Sequence, residues 1–176
     1  MGTYYTYLIS SLSILDFPSR MPFSLGDFFA KCEGLIPEAE IALLRNICDN
    51  QECFLHVPKI DSLKKWISFE MVLRNELVRA RAARKKIDPL KFIRFPDDPE
   101  AHISHVAMAA YRSTSLLEAE KILDQERWDF LESLSFGHYF DFDFLLVYVL
   151  KLKILERWDK IEKADKEHLF NQVVLR

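Results

Sequence analysis

The stretch from residue 62 to residue 87 constrains the fold more than any other part of the chain. On a helical wheel Trp66, Phe69, Val72, Leu73, Leu77, Ala80, Ala83 and Ile87 gather in one arc of about 140°, the width of a core-facing stripe. That period excludes a strand, and a stripe so long must be covered by other helices. Asp61 or Ser62 stands where a cap is expected, and Asp88-Pro89 ends the helix because the residue before proline avoids the α region. The fold class this predicts is all-α: an antiparallel helical bundle built on long amphipathic rods.

A second long helix is expected from about Asp141 to Lys163. Its polar residues Lys153, Glu156, Arg157 and Lys160 form one strip, with Glu156 and Lys160 ordered for an i,i+4 pair. Nearly everything else on its first turns is apolar, so most of its circumference should be covered. Shorter helices fill the space between. Ser24 and Asp27 form a capping box for a helix ending near Cys32, before Gly34. Pro37, Glu38 and Glu40 open one that runs to Cys48. Two more are expected over His102 to Arg112 and Ser115 to Leu134, with a break at Gly137. Residues 4–15 are aromatic and β-branched without a clean period, which leaves an extended strand and a buried helix both open. The charged tail from Asp165 should fray, although Leu169, Phe170, Val173 and Val174 could dock.

The expected organisation is a single helical domain, 1–176, with halves 1–88 and 101–164 joined by a Pro-rich connector, 89–100. EAEIALL at Glu38–Leu44 is echoed by EAEKILD at Glu118–Asp124, and Val72-Leu73-Arg74 by Val149-Leu150-Lys151. This is the pattern of a duplicated helix-helix-long helix unit, although shared helix composition also produces such matches.

Composition removes several functions. The 24 basic and 27 acidic side chains give a formal charge of -3, so no global positive field gathers nucleic acid or anionic lipid. Gly2, Gly26, Gly34 and Gly137 are isolated, so no glycine-rich loop can bring backbone N–H groups around a phosphate. Three cysteines in a chain rich in core residues fit a reducing compartment, and a cytoplasmic location is expected. No Lys or Arg precedes Arg20, which argues against a secretory signal. The longest clean apolar run, Phe144 to Leu150, falls far short of the roughly 20 residues that span a bilayer, so no direct membrane insertion is expected.

Cys32, Cys48, Cys53 and His56 have thiolate and imidazole donors suited to zinc, but their spacing is loose, and packing is the commoner fate of such cysteines. His102 and His105, beside Asp97, Asp98 and Glu100, could hold a metal only with a further ligand; a helix start favoured by its acids, with one His packed, is the commoner explanation. Asp141 and Asp143 could do acid-base work, but acids at a helix start more commonly cap it. No catalytic, cofactor-binding or metal-binding residue is therefore assigned. The basic residues Arg74, Arg81 and Lys85 align within about 40°, opposite the apolar arc; a solvated helix face is the commoner meaning of such a row, and as a functional surface they are the candidate partner-binding residues. An acidic protein surface suits them better than nucleic acid, because no aromatics interleave with them.

The opening YYTYLISSLSILDF with PFSLGDFFAKC, the central FEMVLRNELVRARAARK, and EAEKILDQERWDFLE followed by FDFDFLLVYVLKLKILERWDKIE resemble a bacterial family of unassigned biochemical function. Its members are typically encoded among the subunits of V/A-type (vacuolar/archaeal-type) ATP synthases. The chain is also distantly similar to the C subunit of those machines, the helical socket between membrane rotor ring and central stalk. It is only about half that subunit's length, which argues against a complete three-lobed socket. The resemblance implies a noncatalytic accessory subunit without cofactor, its partners the stalk and rotor subunits, held in the cytoplasm at the inner membrane through its complex. It supplies no catalytic residues. The alternative is a stand-alone helical adaptor, or a local nucleic-acid-binding module, using the basic face of helix 62–87.

Overall fold

The structure is a computed structural model that describes residues 5–49, 60–94 and 100–174, with side chains described as far as residue 164. The described residues are mainly helical and contain no strand. In chain order the helices are α1 (Tyr5–Ser10), α2 (Leu25–Cys32), α3 (Glu38–Asp49), α4 (Asp61–Lys85), α5 (Ala101–Arg112), α6 (Leu116–Ser135) and α7 (Phe142–Val174), with a 3-10 turn at Pro89–Lys91.

The chain divides into two compact units. The first joins residues 1–53 to residues 134–176, and so combines α1, α2, α3 and α7; the second, 54–133, holds α4, α5 and nearly all of α6. Halves split at 89–100 are not the units of this structure. The apolar stripe of α4 packs against α5, on the far side of that connector, and so holds the two flanks together.

In the first unit, the capping box forms as expected. The Asp27 backbone N–H donates to Ser24 Oγ at 3.1 Å, and the Ser24 N–H donates to Asp27 Oδ2 at 3.0 Å. Gly34, with φ of 76°, then takes the chain out of α2 through a left-handed conformation open to glycine without strain. The six residues Leu145 to Leu150 of α7 are all buried, as its apolar circumference predicts. Phe28 of α2 stacks on Tyr148 with ring centroids 5.6 Å apart, and Lys153 donates to the Cys48 carbonyl at the end of α3. Residues 4–15 are resolved in favour of helix from Tyr5 to Ser10, which buries Leu8 and Ile9. The tail from Asp165 is helical, as α7 continues to Val174. No glycine or proline follows Gly137, and Glu156–Lys160 (3.1 Å) and Asp159–Lys163 (2.6 Å) staple its surface. Whether Leu169, Phe170, Val173 and Val174 dock lies outside the described side chains.

In the second unit, Phe69, Val72, Leu73, Ile103, Ala110 and Leu123 form the core, with Trp66, Leu77 and Phe130 packed against it. The rings of Phe69 and Phe130 stack at 4.0 Å and 8°. The expected stripe holds from Trp66 to Ala80 and then fails: Ala83 and Ile87 are exposed, and Ala82 is buried instead. For Ile87 the reason is local. Lys86 adopts φ of 53°, so Ile87 has left the helical register on which the wheel placed it. Neither Asp61 nor Ser62 caps α4; the N-cap position is Ile60, with no side-chain cap bond, while Asp61 pairs with Lys64 at 3.3 Å.

Leu73 is fully buried, so Leu73→Ala should lower the free energy of unfolding by about 2–5 kcal/mol, whereas Ser24→Ala, losing one surface cap, should cost about 1 kcal/mol. Urea titrations followed by far-UV circular dichroism measure both. Equal effects would mean that Leu73 does not sit in a close-packed core.

Candidate functional site

Two kinds of charged group occur in the second unit, and they differ in what they leave available. The first is consumed inside the fold. Arg127 on α6 donates from Nε to Glu70 Oε1 at 2.7 Å and from Nη1 to Asp124 Oδ1 at 2.9 Å, and Asp124 is fully buried. Burial alone would depress the basicity of Arg127, but the Glu70 and Asp124 carboxylates outweigh it and hold its pKa above the ordinary value. Glu76 is likewise buried, accepting from Ser104 Oγ at 2.6 Å and pairing with Arg79. Asn75 Nδ2 donates to the Arg94 carbonyl at 3.0 Å and its Oδ1 accepts from the Arg94 N–H at 3.2 Å, so the chain after α4 is drawn back along the helix. Composition and spacing give no hint of these three buried polar positions: Asn75 and Glu76 depend on partners from other segments, and Asp124 on an Arg127 that is itself tied to α4 through Glu70.

The second kind faces outward. Arg74, Arg81 and Lys85 are all exposed, and none has an ion pair to another described residue. Their i, i+7, i+11 spacing keeps them on one side of α4 over about 16 Å at 1.5 Å per residue. The sequence places these three residues together on the helix, and the structure leaves them open to a partner. Arrays of guanidinium and ammonium groups of this kind recognise carboxylate or phosphate through charge-assisted hydrogen bonds.

The other candidate sets behave differently. Cys32 and Cys48 are buried free thiols. Burial pushes Cys32 up to about 12 and Cys48 up to about 11, so both are held as protonated core residues. Cys53 and His56 lie outside the described residues, as do Asp97 and Asp98. His102 and His105 are exposed, and His102 Nε2 lies 2.9 Å from Glu126 Oε1 on α6, an engagement unrelated to Glu100. Asp141 is a cap: its Oδ1 accepts from the Phe144 N–H at 3.0 Å, and its Oδ2 lies 2.6 Å from His138 Nδ1. His138, Asp141 and Asp143 bring one donor atom each within 4.8 Å of one another, a grouping the sequence reading missed because His138 precedes the helix. Each Asp141 oxygen thus has one hydrogen-bond partner within its own turn. Tyr5 donates to Glu40 nearby; burial first, then Glu40 and Asp141, raise its hydroxyl above the ordinary range.

Comparison with known proteins leaves the chemistry of this face open. Residues 101–176 match the family described as Protein of unknown function (DUF2764), which covers α5, α6 and α7 but not α4. No curated protein and no solved structure matches the chain. No described helix is long and apolar enough to cross a membrane.

Arg127→Met should destabilise the protein by about 3–5 kcal/mol, because it removes the cation that Glu70 and the buried Asp124 share, whereas Arg74→Glu should change stability by less than about 0.5 kcal/mol. Denaturant titration of the two variants in parallel tests this. The thiols give a pH dependence. Since their folded values lie above the ordinary 9.0, the native state holds those protons more tightly; the stabilisation is full below that pH and is lost as pH rises through about 11 and about 12. Alkylation with iodoacetamide at mildly alkaline pH, read by peptide mass spectrometry, should modify Cys32 and Cys48 only in denaturant. Rapid native labelling at either position would contradict their burial.

Proposed function

We propose that the chain is a noncatalytic accessory subunit of a V/A-type ATP synthase, coupling or stabilising the central stalk and membrane rotor from the cytoplasmic side. Two things support the reading: the sequence resemblance to proteins encoded with such machines, and the helical framework itself. The single observation that carries the mechanism is the exposed row Arg74, Arg81 and Lys85 on a helix whose opposite face is packed into a core. A stalk component must present charges at fixed spacing on a stiff element, so that complementary carboxylates select the partner and its register. α4 does this. Its inward residues hold the rod in place, and its outward cations remain unspent.

In this reading the subunit makes and breaks no bond. It transmits force or fixes geometry, with electrostatic complementarity choosing the neighbour and apolar contacts setting the residence time. A stand-alone adaptor would use the same row, and the experiment separates the two.

Affinity purification of the full chain from detergent-solubilised native membranes should bring down stalk and rotor subunits. The triple variant Arg74→Glu, Arg81→Glu, Lys85→Glu should reduce that recovery by at least about tenfold, since each reversed charge replaces an attraction by a repulsion. ATP synthase complexes that never contain the chain would overturn the assignment, and unaltered recovery of the triple variant would remove the row from the interface.

A further inference from the structure

The turn that follows α4 presents a second surface with a different chemistry. Ile87, Leu90 and Phe92 are 44%, 75% and 56% exposed, which is unusual for three large apolar side chains within six positions. They are not exposed through slackness. The Lys86 N–H donates to the Ala82 and Ala83 carbonyls, and the Ile87 N–H to Ala82 at 3.2 Å. The Asp88 carboxylate accepts from the Leu90 N–H at 3.0 Å, and the Phe92 N–H donates to Pro89 at 2.9 Å. The Asn75–Arg94 pair closes the far end. A backbone fastened at both ends thus holds three apolar side chains in water.

The charge around them is one-sided. Residues 81–94 contain the cations Arg81, Arg84, Lys85, Lys86, Lys91 and Arg94 against the single acid Asp88, in a chain whose net charge is -3. Asp88 is spent on its turn. All six cations are exposed.

We propose that this turn docks on an anionic lipid surface, with Ile87, Leu90 and Phe92 entering the interfacial layer and Arg84, Lys86 and Lys91 reaching the headgroup phosphates. Complementarity of charge selects lipid over an acidic protein. A protein interface surrounds its apolar anchors with polar groups paired one to one, whereas an anionic leaflet rewards unbalanced positive charge, about fivefold in partitioning for each Lys or Arg near it. It also accepts separate apolar side chains in any register. No described helix is long and apolar enough to cross a bilayer, so contact with lipid would be at its surface. The inference is independent of the assignment to an ATP synthase, because it concerns lipid and the purified chain alone.

The test is cosedimentation of the full-length protein with phosphatidylcholine vesicles containing about 30 mol% phosphatidylglycerol, beside vesicles of phosphatidylcholine alone. Binding to the anionic vesicles only, weakened at least about tenfold between about 50 and about 500 mM salt, is the expected result. The variant Leu90→Asn, Phe92→Asn should bind at least about tenfold more weakly while keeping the wild-type far-UV spectrum, because both side chains are exposed. Lys86→Glu, Lys91→Glu provides a second, independent loss. Absence of binding to anionic vesicles, equal binding to neutral ones, or wild-type binding by the Asn variant would each overturn the proposal. So would binding to polyglutamate without binding to vesicles, which would assign the turn to an acidic protein.

Discussion

A helix that buries every side chain from Leu145 to Leu150 has no solvent face, and the first unit must be built as its sheath. Burying one Leu, Val or Ile contributes about 1.5–3 kcal/mol, an upper figure because the unfolded chain already hides some of that surface. α2 and α3 bring Phe28, Ile41 and Leu44 to this task, and all three are almost completely buried. Polar character begins with Lys151 and Lys153; the Lys153 ammonium still reaches back to the Cys48 carbonyl before the surface pairs Glu156–Lys160 and Asp159–Lys163 take over. One helix therefore changes from core to surface along its length.

The second unit is held on a different principle. Its apolar stripe would tolerate sliding of one helix along another, since Leu, Val and Phe offer no directional contact. Directional bonds remove that freedom. Glu76 to Ser104 fixes α4 against α5, and Glu70 with Asp124 around Arg127 fixes α4 against α6. A buried ion pair gives little net stability over a hydrophobic replacement, but a displaced register would strand its charges. The same inward bonding accounts for what remains outside: Arg74, Arg81 and Lys85 have nothing to meet within the described fold.

Local chemistry was the legible part. The Ser24 capping box, the arc of α4 as far as Ala80, the Asp141 cap and the Glu156–Lys160 pair each depend on residues within one or two turns, and each is present. The basic row was legible for the same reason. What the sequence could not show depends on contacts between elements: the burial of Asn75, Glu76 and Asp124, and the grouping of helices into units. The EAEIALL and EAEKILD echo shows this well. Under a duplication each long helix would be expected to pack with the two helices before it. Instead α7 packs with α2 and α3, while α4 packs with α5 and meets α6 through Arg127 and Phe130. The local echo says nothing about which rod lies beside which.

The first unit's discontinuity in the chain has a consequence for biogenesis. After Cys53 leaves the ribosome, all 80 residues of the second unit are made before Leu134 resumes the first. At about 5–20 residues per second that interval lasts roughly 4–16 s. Throughout it α1 to α3 hold Phe28, Ile41 and Leu44 ready for a helix not yet translated. The first unit can therefore close only after α7 has been synthesised, so its maturation follows the second unit's rather than the order in which its own helices appear.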